Sequence, residues 1–115
     1  MFVRRQQDVP PVDLSLEQGV KGAELRPLIT REDGAGHFAM RLFRLEPGGH
    51  TPFHVHPWEH EVFIVRGSGE LLGEGAAIAL AEGMAAYVPP DERHRFRAGD
   101  RGMTFICCIP HAPAP

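Results

Sequence analysis

The most constraining feature of the sequence is residues 48–67, GGHTPFHVHPWEHEVFIVRG, which hold four of the seven histidines just ahead of an apolar run. Side chains of an extended segment alternate between two faces, so His54 and His56 project the same way and can converge on one ion. His60 keeps that parity, although the proline and tryptophan before it can break the strand. We expect these three side chains to be metal ligands and His94, from a separate part of the chain, to be the fourth.

Metal chemistry explains this cluster better than other readings of the residues. Neutral imidazole is a good ligand for divalent first-row metals, and close spacing on one strand supplies several donors already oriented. A His-x-His pair alone is weak evidence, because such pairs arise often by chance. The assignment therefore depends on the rest of the chain.

Short apolar runs separated by glycine- and proline-rich turns follow one another along the sequence, and none keeps the spacing of an amphipathic helix. Residues 66–69 and 98–102 read as turns, and Pro27 confines its strand to a sheet edge or a bulge. This pattern predicts an all-β sandwich or barrel. The predicted strands cover residues 23–30, 37–45, 62–65, 70–72, 76–80, 84–88, 94–97 and 103–109.

The length favours one domain over residues 1–115. A chain of 12.7 kDa with 43% hydrophobic residues has enough apolar material for one core. Residues 1–22 predict an extended N-terminal arm and loop. Residues 110–115, which are rich in proline and alanine, predict a flexible tail.

Charge and hydropathy argue against two classes of partner. The net charge of −3 and the pI near 6.1 leave no basic surface for nucleic acid. No stretch of about 18 apolar residues occurs, and no apolar segment of signal-peptide length follows the basic residues near the start. We therefore expect a soluble, cytoplasmic protein without a membrane partner. Cys107 and Cys108 are neighbours, so two buried thiols are a better prediction than a strained disulfide.

Two stretches resemble the motifs of the cupin family. The first cupin motif is commonly written G-x5-H-x-H-x3,4-E-x6-G, and Gly48, His54, His56 and Gly67 match it. The resemblance implies a double-stranded β-helix, the cupin jelly roll, with a metal inside one end of the barrel.

The second cupin motif, G-x5-P-x-G-x2-H-x3-N, is similar to the stretch that begins at Gly83. Pro89 and His94 match it, whereas Asp91 replaces the glycine and Ala98 the asparagine. Two motifs in the right order, joined by one short β region, make the resemblance specific.

One departure concerns the ligand set. Where the first motif has glutamate, this chain has His60 at the shorter spacing and Glu61 at the longer one. The stretch resembles small cupins in which four histidines hold a divalent metal, often manganese, and His60 shares the inward register of Val62. The resemblance thus implies one divalent transition metal held by His54, His56, His60 and His94, with manganese first and iron, nickel or zinc as alternatives.

The resemblance leaves the reaction open, because this fold hosts many chemistries. Our leading hypothesis is a metal-dependent enzyme acting on a small carboxylate or other oxygen-rich substrate, oxalate first, as a decarboxylase or a dioxygenase. The alternative is a non-catalytic metal or small-ligand binding module, since only Glu59 and Glu61 suggest an acid or base near the metal. No catalytic residue and no organic cofactor is assigned.

Four further expectations concern individual side chains. Phe96 should line the pocket, and Arg41 should point outward because its apolar neighbours have the better claim to the interior. Trp58 should pack over the histidines. The outward face around Phe63 and Val65 should be covered by a second copy of the chain, as small cupins are often homodimers.

Overall fold

The structure is a computed structural model that describes residues 1–111. Within that range it is built almost entirely of antiparallel strands. Two single-turn 3-10 helices, Gln6–Asp8 and Arg31–Asp33, are the helical pieces there. The strands are β1 (Val12–Asp13), β2 (Lys21–Ile29), β3 (Phe38–His50), β4 (His60–Gly73), β5 (Ala76–Ala81), β6 (Ala85–Val88) and β7 (His94–Pro110). They are hydrogen-bonded in the order β1-β2-β3-β7-β4-β5, with β6 paired to β4. The predicted all-β class and the double-stranded β-helix are confirmed.

The hydrophobic core lies inside the barrel that these strands form. Side chains of β4 alternate between buried and exposed from His60 to Val65, as expected for a strand with one face on the core. The most deeply buried large side chains come from four different strands, β3, β4, β6 and β7. They are Leu45, Ile64, Val88 and Phe105.

Two predicted turns are wrong, because β4 and β7 run straight through residues 66–69 and 98–102. The two strands pair along most of their length, with register shifts that mark bulges near Gly67. A Cβ atom on Gly67 would overlap the backbone of Gly102, and one on Gly69 would overlap the carbonyl of Arg97. These glycines therefore permit close approach of two strands, which sequence alone does not distinguish from a turn.

Strand β3 continues to His50, beyond the predicted end at residue 45, and a register shift separates Leu45 from His50. The proline and two glycines in between form an irregular part of the strand rather than its end. The prediction for Pro27 is confirmed, because the pairing of β2 with β3 shifts register between Pro27 and Ile29.

The N-terminal arm is more structured than predicted. Its strand β1 pairs with β2, and Arg4 forms an ion pair of 2.9 Å with Asp33. At the other end, the backbone N–H of His111 donates to the carbonyl of His37 at 3.1 Å. The start of the predicted tail is thus tied to the barrel, while residues 112–115 lie outside the described part of the chain.

In residues 1–111 we find no helix with the length and hydropathy needed to cross a membrane.

Candidate metal centre

Backbone pairing brings His54 and His94 together from distant parts of the sequence. The two residues form an isolated bridge in which His54 N–H donates to the His94 carbonyl at 3.1 Å and His94 N–H donates to the His54 carbonyl at 2.9 Å. Residues that exchange both hydrogen bonds lie directly opposite each other, with side chains on the same face. Their separation is therefore set by backbone geometry rather than by side-chain packing alone.

The other two predicted ligands join the same cluster. His60 begins β4 opposite Val88 and is 5% exposed, with its side chain on the inner face. The ring centroids of His56 and His60 lie 5.5 Å apart, and His60 and His94 are separated by 4.8 Å. The structure brings all four predicted residues together, with His54–His56 at 4.2 Å and His56–His94 at 6.3 Å.

These separations can be compared with those expected for ligands of one ion. Imidazole rings bound at about 2.1 Å to a shared metal have centroids roughly 4.5 to 6.5 Å apart, depending on the angle between the ligands. The measured separations cover nearly the same range. Across residues 1–111, however, no group of three or more His, Cys, Asp or Glu side chains is arranged as it stands to hold a metal ion.

Electrostatics keep the rings of His54, His56 and His60 uncharged, as metal ligation requires. Burial lowers the pKa of His54 to about 4 and that of His60 to about 3, and the positive charge of Arg41 adds to both effects. Burial also lowers the pKa of His56. These side chains stay neutral at physiological pH and can offer nitrogen lone pairs.

Hydrogen bonding also fits ligation. The Nδ1 atom of His94 lies 2.9 Å from the carbonyl oxygen of Glu92, which fixes Nδ1–H as the donor and leaves Nε2 with a free lone pair. His60 Nδ1 is buried and has no hydrogen-bond partner in the described chain. A buried nitrogen without a partner is costly unless something fills its lone pair. The donor set therefore fits a divalent metal.

A cavity of about 330 Å³ lies beside the four rings. Loop residue Thr51 ties its rim to β7, because Thr51 N–H donates to the Phe96 carbonyl and the Thr51 hydroxyl accepts from Phe96 N–H, both at 3.0 Å. Phe96 is 4% exposed and lines the cavity, so this prediction is confirmed. Most of the wall is apolar and comes from Leu14, Val20, Leu25, Phe43, Phe96 and Phe105.

The candidate acid and base groups of the sequence lie elsewhere. Glu61 is exposed, outside the set of residues that line the cavity, and its hydrogen bond with Glu59 raises its pKa to about 7. Trp58 stacks on His56 with ring centroids 4.5 Å apart and planes 7° apart, as a packing role predicts. His50 hydrogen bonds the Thr51 carbonyl at 3.2 Å and does not line the cavity.

Two polar side chains in the cavity wall, Arg41 and Glu17, were misplaced or missed from the sequence. Arg41 faces the interior, and the outward orientation predicted for it is wrong. It pairs across the sheet with Cys107, whose thiol accepts a hydrogen bond from Arg41 Nη2 at 3.2 Å. Glu17 reaches the wall from the N-terminal arm, and long-range folding of that arm leaves no signal in the local sequence.

The free thiols behave as predicted in one case and partly in the other. Cys107 is buried, and burial raises its pKa, whereas Cys108 on the outer face of β7 is partly buried. Neither cysteine forms a disulfide.

Comparison with known proteins places the chain in a family. A family model described as a cupin domain matches residues 41–109. The chain is 34% identical over 99 residues to polyketide synthase CurC of Streptomyces cyaneus, an alignment that covers 83% of this chain and 64% of that protein. The chain spans less than two thirds of the length of the curated relatives it matches.

Solved structures of similar fold extend over nearly the whole chain. The polyketide cyclase RemF of Streptomyces resistomycificus superposes with a TM-score of 0.90 at 32% identity, covering 100% of this chain and 82% of the other. A predicted oxalate decarboxylase of Thermotoga maritima has a TM-score of 0.84 at 23% identity, covering 96% of this chain and 100% of that one, a similarity of fold alone.

Proposed function

The chain belongs to the cupin family, and from that premise we propose that it is a metal-dependent enzyme that closes a ring in a poly-β-carbonyl substrate. One divalent metal would be held by His54, His56, His60 and His94. The similarity to the polyketide synthase CurC and to the polyketide cyclase RemF supports this class of oxygen-rich substrate.

One observation carries the proposal: four clustered histidines, three with lowered pKa values, face a largely apolar cavity of about 330 Å³. Ligand pockets usually exceed roughly 300 Å³ and have mostly apolar walls with a few polar groups. Oxalate is smaller than this space and has no apolar surface to place against three phenylalanines. A partly apolar polycarbonyl compound suits the walls better, and oxalate stays an alternative prediction.

When bound, a divalent metal supplies a Lewis acid that polarises carbonyl oxygens and lowers the cost of forming an enolate. Manganese remains our first choice, with iron, nickel and zinc as alternatives, because histidine sites bind several of these ions. The metal found after purification therefore depends on which ions are available in the host cell as well as on the preference of the site.

The chain's own residues would prepare the reaction. The carboxylate of Glu17, in the cavity wall, can accept a proton from carbon and later return one to a leaving hydroxyl group. Phe43, Phe96 and Phe105 pack against one another and would give the ligand an apolar wall, which favours a folded conformation of a chain that becomes a planar ring.

A simple compound tests the reaction. Heptane-2,4,6-trione can form a bond between its first and sixth carbons and lose one molecule of water, which gives orcinol. Atoms balance without an oxidant or reductant. Formation of orcinol is followed by chromatography on metal-stripped protein and on protein reloaded with manganese, iron, nickel or zinc.

The decisive variant is His60→Ala, with Glu61→Ala as the matched control from the neighbouring outward position. We expect about one equivalent of metal in the wild type and in Glu61→Ala by elemental analysis, and at least about tenfold weaker metal binding in His60→Ala, consistent with loss of one ligand. Orcinol formation should follow metal content. Loss of metal only in Glu61→Ala would contradict the ligand set.

Bound metal without turnover of the trione or of oxalate would favour a different class of function. In that case the better conclusion is a non-catalytic metal or small-ligand binding module. An exchangeable water on the bound metal, detected by proton relaxation with manganese, would argue against that alternative because a saturated ion leaves no position for substrate.

A further inference from the structure

Arg41 is the one cavity side chain with a permanent positive charge among the described residues. It lies on β3, where it shares the inner face with Phe43 and Leu45, and its guanidinium carbon lies 4.9 Å from the centre of the Phe43 ring. Its backbone partner Cys107 is buried inside the barrel. The charge is therefore held in place by a strand and an aromatic ring rather than by a mobile loop.

The hydrogen bonds of this guanidinium are largely unused. Its Nη2 donates to the Cys107 sulfur at 3.2 Å, and sulfur is a weak acceptor. Its Nε is buried and has no partner in the described chain. An arginine offers five N–H donors in a rigid fork, so most of its capacity remains available to a bound molecule.

The charges of the cavity lining also favour binding of an anion by Arg41. Glu17 is the one carboxylate among the lining residues, and within residues 1–111 no ion pair joins it to Arg41. Arg41 is partly buried, and a cation that is shielded from water without a counter-ion is costly, a cost that an incoming anion offsets. The effect of Arg41 on His54, His56 and His60 places the charge within electrostatic reach of the cluster.

We propose that Arg41 binds an anionic oxygen group of the ligand, a carboxylate or an enolate, while the body of the ligand packs against the cavity phenylalanines. As a statement about substrate class, this inference rests on the proposed function. The planar guanidinium suits two-point binding of a carboxylate, and it would hold one end of the ligand while another oxygen lies near the histidines. The site would thus select anionic compounds with an apolar ring or chain.

A pair of probes isolates the charge of the ligand. Binding of 1-naphthoate and of its neutral analogue 1-naphthamide is measured by calorimetry on metal-stripped protein, so that a metal cannot capture the carboxylate. We expect naphthoate to bind wild-type protein at least about tenfold more tightly than naphthamide, which corresponds to ~1.4 kcal/mol. Equal affinities, or no binding of either compound, would overturn the inference.

Variants then identify the residue responsible. In Arg41→Gln the preference for naphthoate should disappear while naphthamide binds as before, and Arg41→Lys should keep part of the preference because it keeps the charge but not the fork. Arg44→Gln is the matched control, since Arg44 lies on the same strand with its side chain exposed. An unchanged preference in Arg41→Gln contradicts the proposal, and Arg41→Lys carries the test if the glutamine variant does not fold.

Metal-loaded protein separates this inference from the proposed function. Naphthoate binding that depends on Arg41, in a protein that binds no metal, would remove the proposed enzyme and leave the anion site in place. Naphthoate binding that requires added metal and is unchanged in Arg41→Gln would remove the anion site and leave the proposed metal centre in place.

Discussion

The clustered histidines create a link between acidity and stability. Burial and mutual repulsion lower the pKa of His54 to about 4 and that of His60 to about 3, whereas histidine in an unfolded chain titrates near 6.5. Between these values the unfolded chain takes up protons that the folded chain does not. Stability is therefore complete above the unfolded pKa and is lost as the pH falls toward the folded values.

We expect metal-stripped protein to lose thermal stability steadily between about pH 6.5 and pH 4. His60→Gln should show a shallower pH dependence, because one of the responsible groups has been removed. Differential scanning calorimetry across this range makes the comparison. Identical slopes in the two proteins would contradict the expectation. The carboxylate of Asp33 titrates at lower pH, because a hydrogen bond from Arg4 lowers its pKa to about 2. The two effects therefore occur in different pH ranges.

The carboxylate of Glu17 leads to a second expectation at this scale. Glu17→Gln keeps the size of the side chain but removes its ability to accept a proton, so the rate of orcinol formation should fall by roughly 10²-fold or more. Metal content should be unchanged because Glu17 is not one of the proposed metal ligands. Full activity in Glu17→Gln, measured with the same metal loading, would exclude this carboxylate as the base.

Side-chain parity predicted part of the site. The spacing of His54, His56 and His60 predicts that they share one face, and the second motif predicts His94 as a further ligand. Arg41 was misplaced because the neighbouring apolar residues were ranked by hydrophobicity, whereas the register of β3 is set by pairing with β7. Glu17 had no local signal at all.

At the level of strands, the sequence shows where the glycines lie but not whether each one belongs to a turn or to a close contact between strands. The pattern around Gly67 and Gly69 predicts a turn, yet both lie inside β4 where β7 comes too close for a Cβ atom. Turns and close strand crossings both favour glycine, and only long-range pairing distinguishes them. Parts of β2 to β7 could be predicted because alternation and β-branched runs are local features, whereas β1 lies in the predicted arm and forms only by pairing with β2.

Gly69→Ala should be strongly destabilising. Its Cβ would overlap the backbone carbonyl of Arg97, and a backbone atom cannot move aside as a flexible side chain can. We expect a loss of about 1–3 kcal/mol in urea denaturation, typical of overpacking. Gly36→Ala is the control, since nothing lies within 4 Å of its Cβ position, and equal stability of the two variants would contradict the close approach.

At the level of the whole molecule, the outer face of the barrel remains exposed in a single chain. Phe63 is 48% exposed, Val65 40% and Tyr87 57%, and Phe63 and Tyr87 lie on paired strands β4 and β6. Adjacent large apolar side chains on a sheet usually meet a partner. The homodimer predicted from the sequence remains a prediction.

Sedimentation at micromolar concentration should give twice the mass of the 12.7 kDa chain. Phe63→Asp should shift the protein toward monomer because it places a charge in the apolar contact. Ile78→Asp, an exposed apolar position on β5, is the control and should leave the assembly unchanged. A wild-type monomer would remove the proposed contact.

The stacking of Trp58 on His56 also supplies an optical signal. The chain contains one tryptophan, and its ring lies parallel to that of His56 at 4.5 Å. Indole emission responds to the charge and electron density of a stacked neighbour, so protonation or coordination of His56 should change fluorescence without an attached label. The tryptophan fluorescence of the native protein can therefore be used to follow protonation of His56, or coordination of a metal by it, continuously.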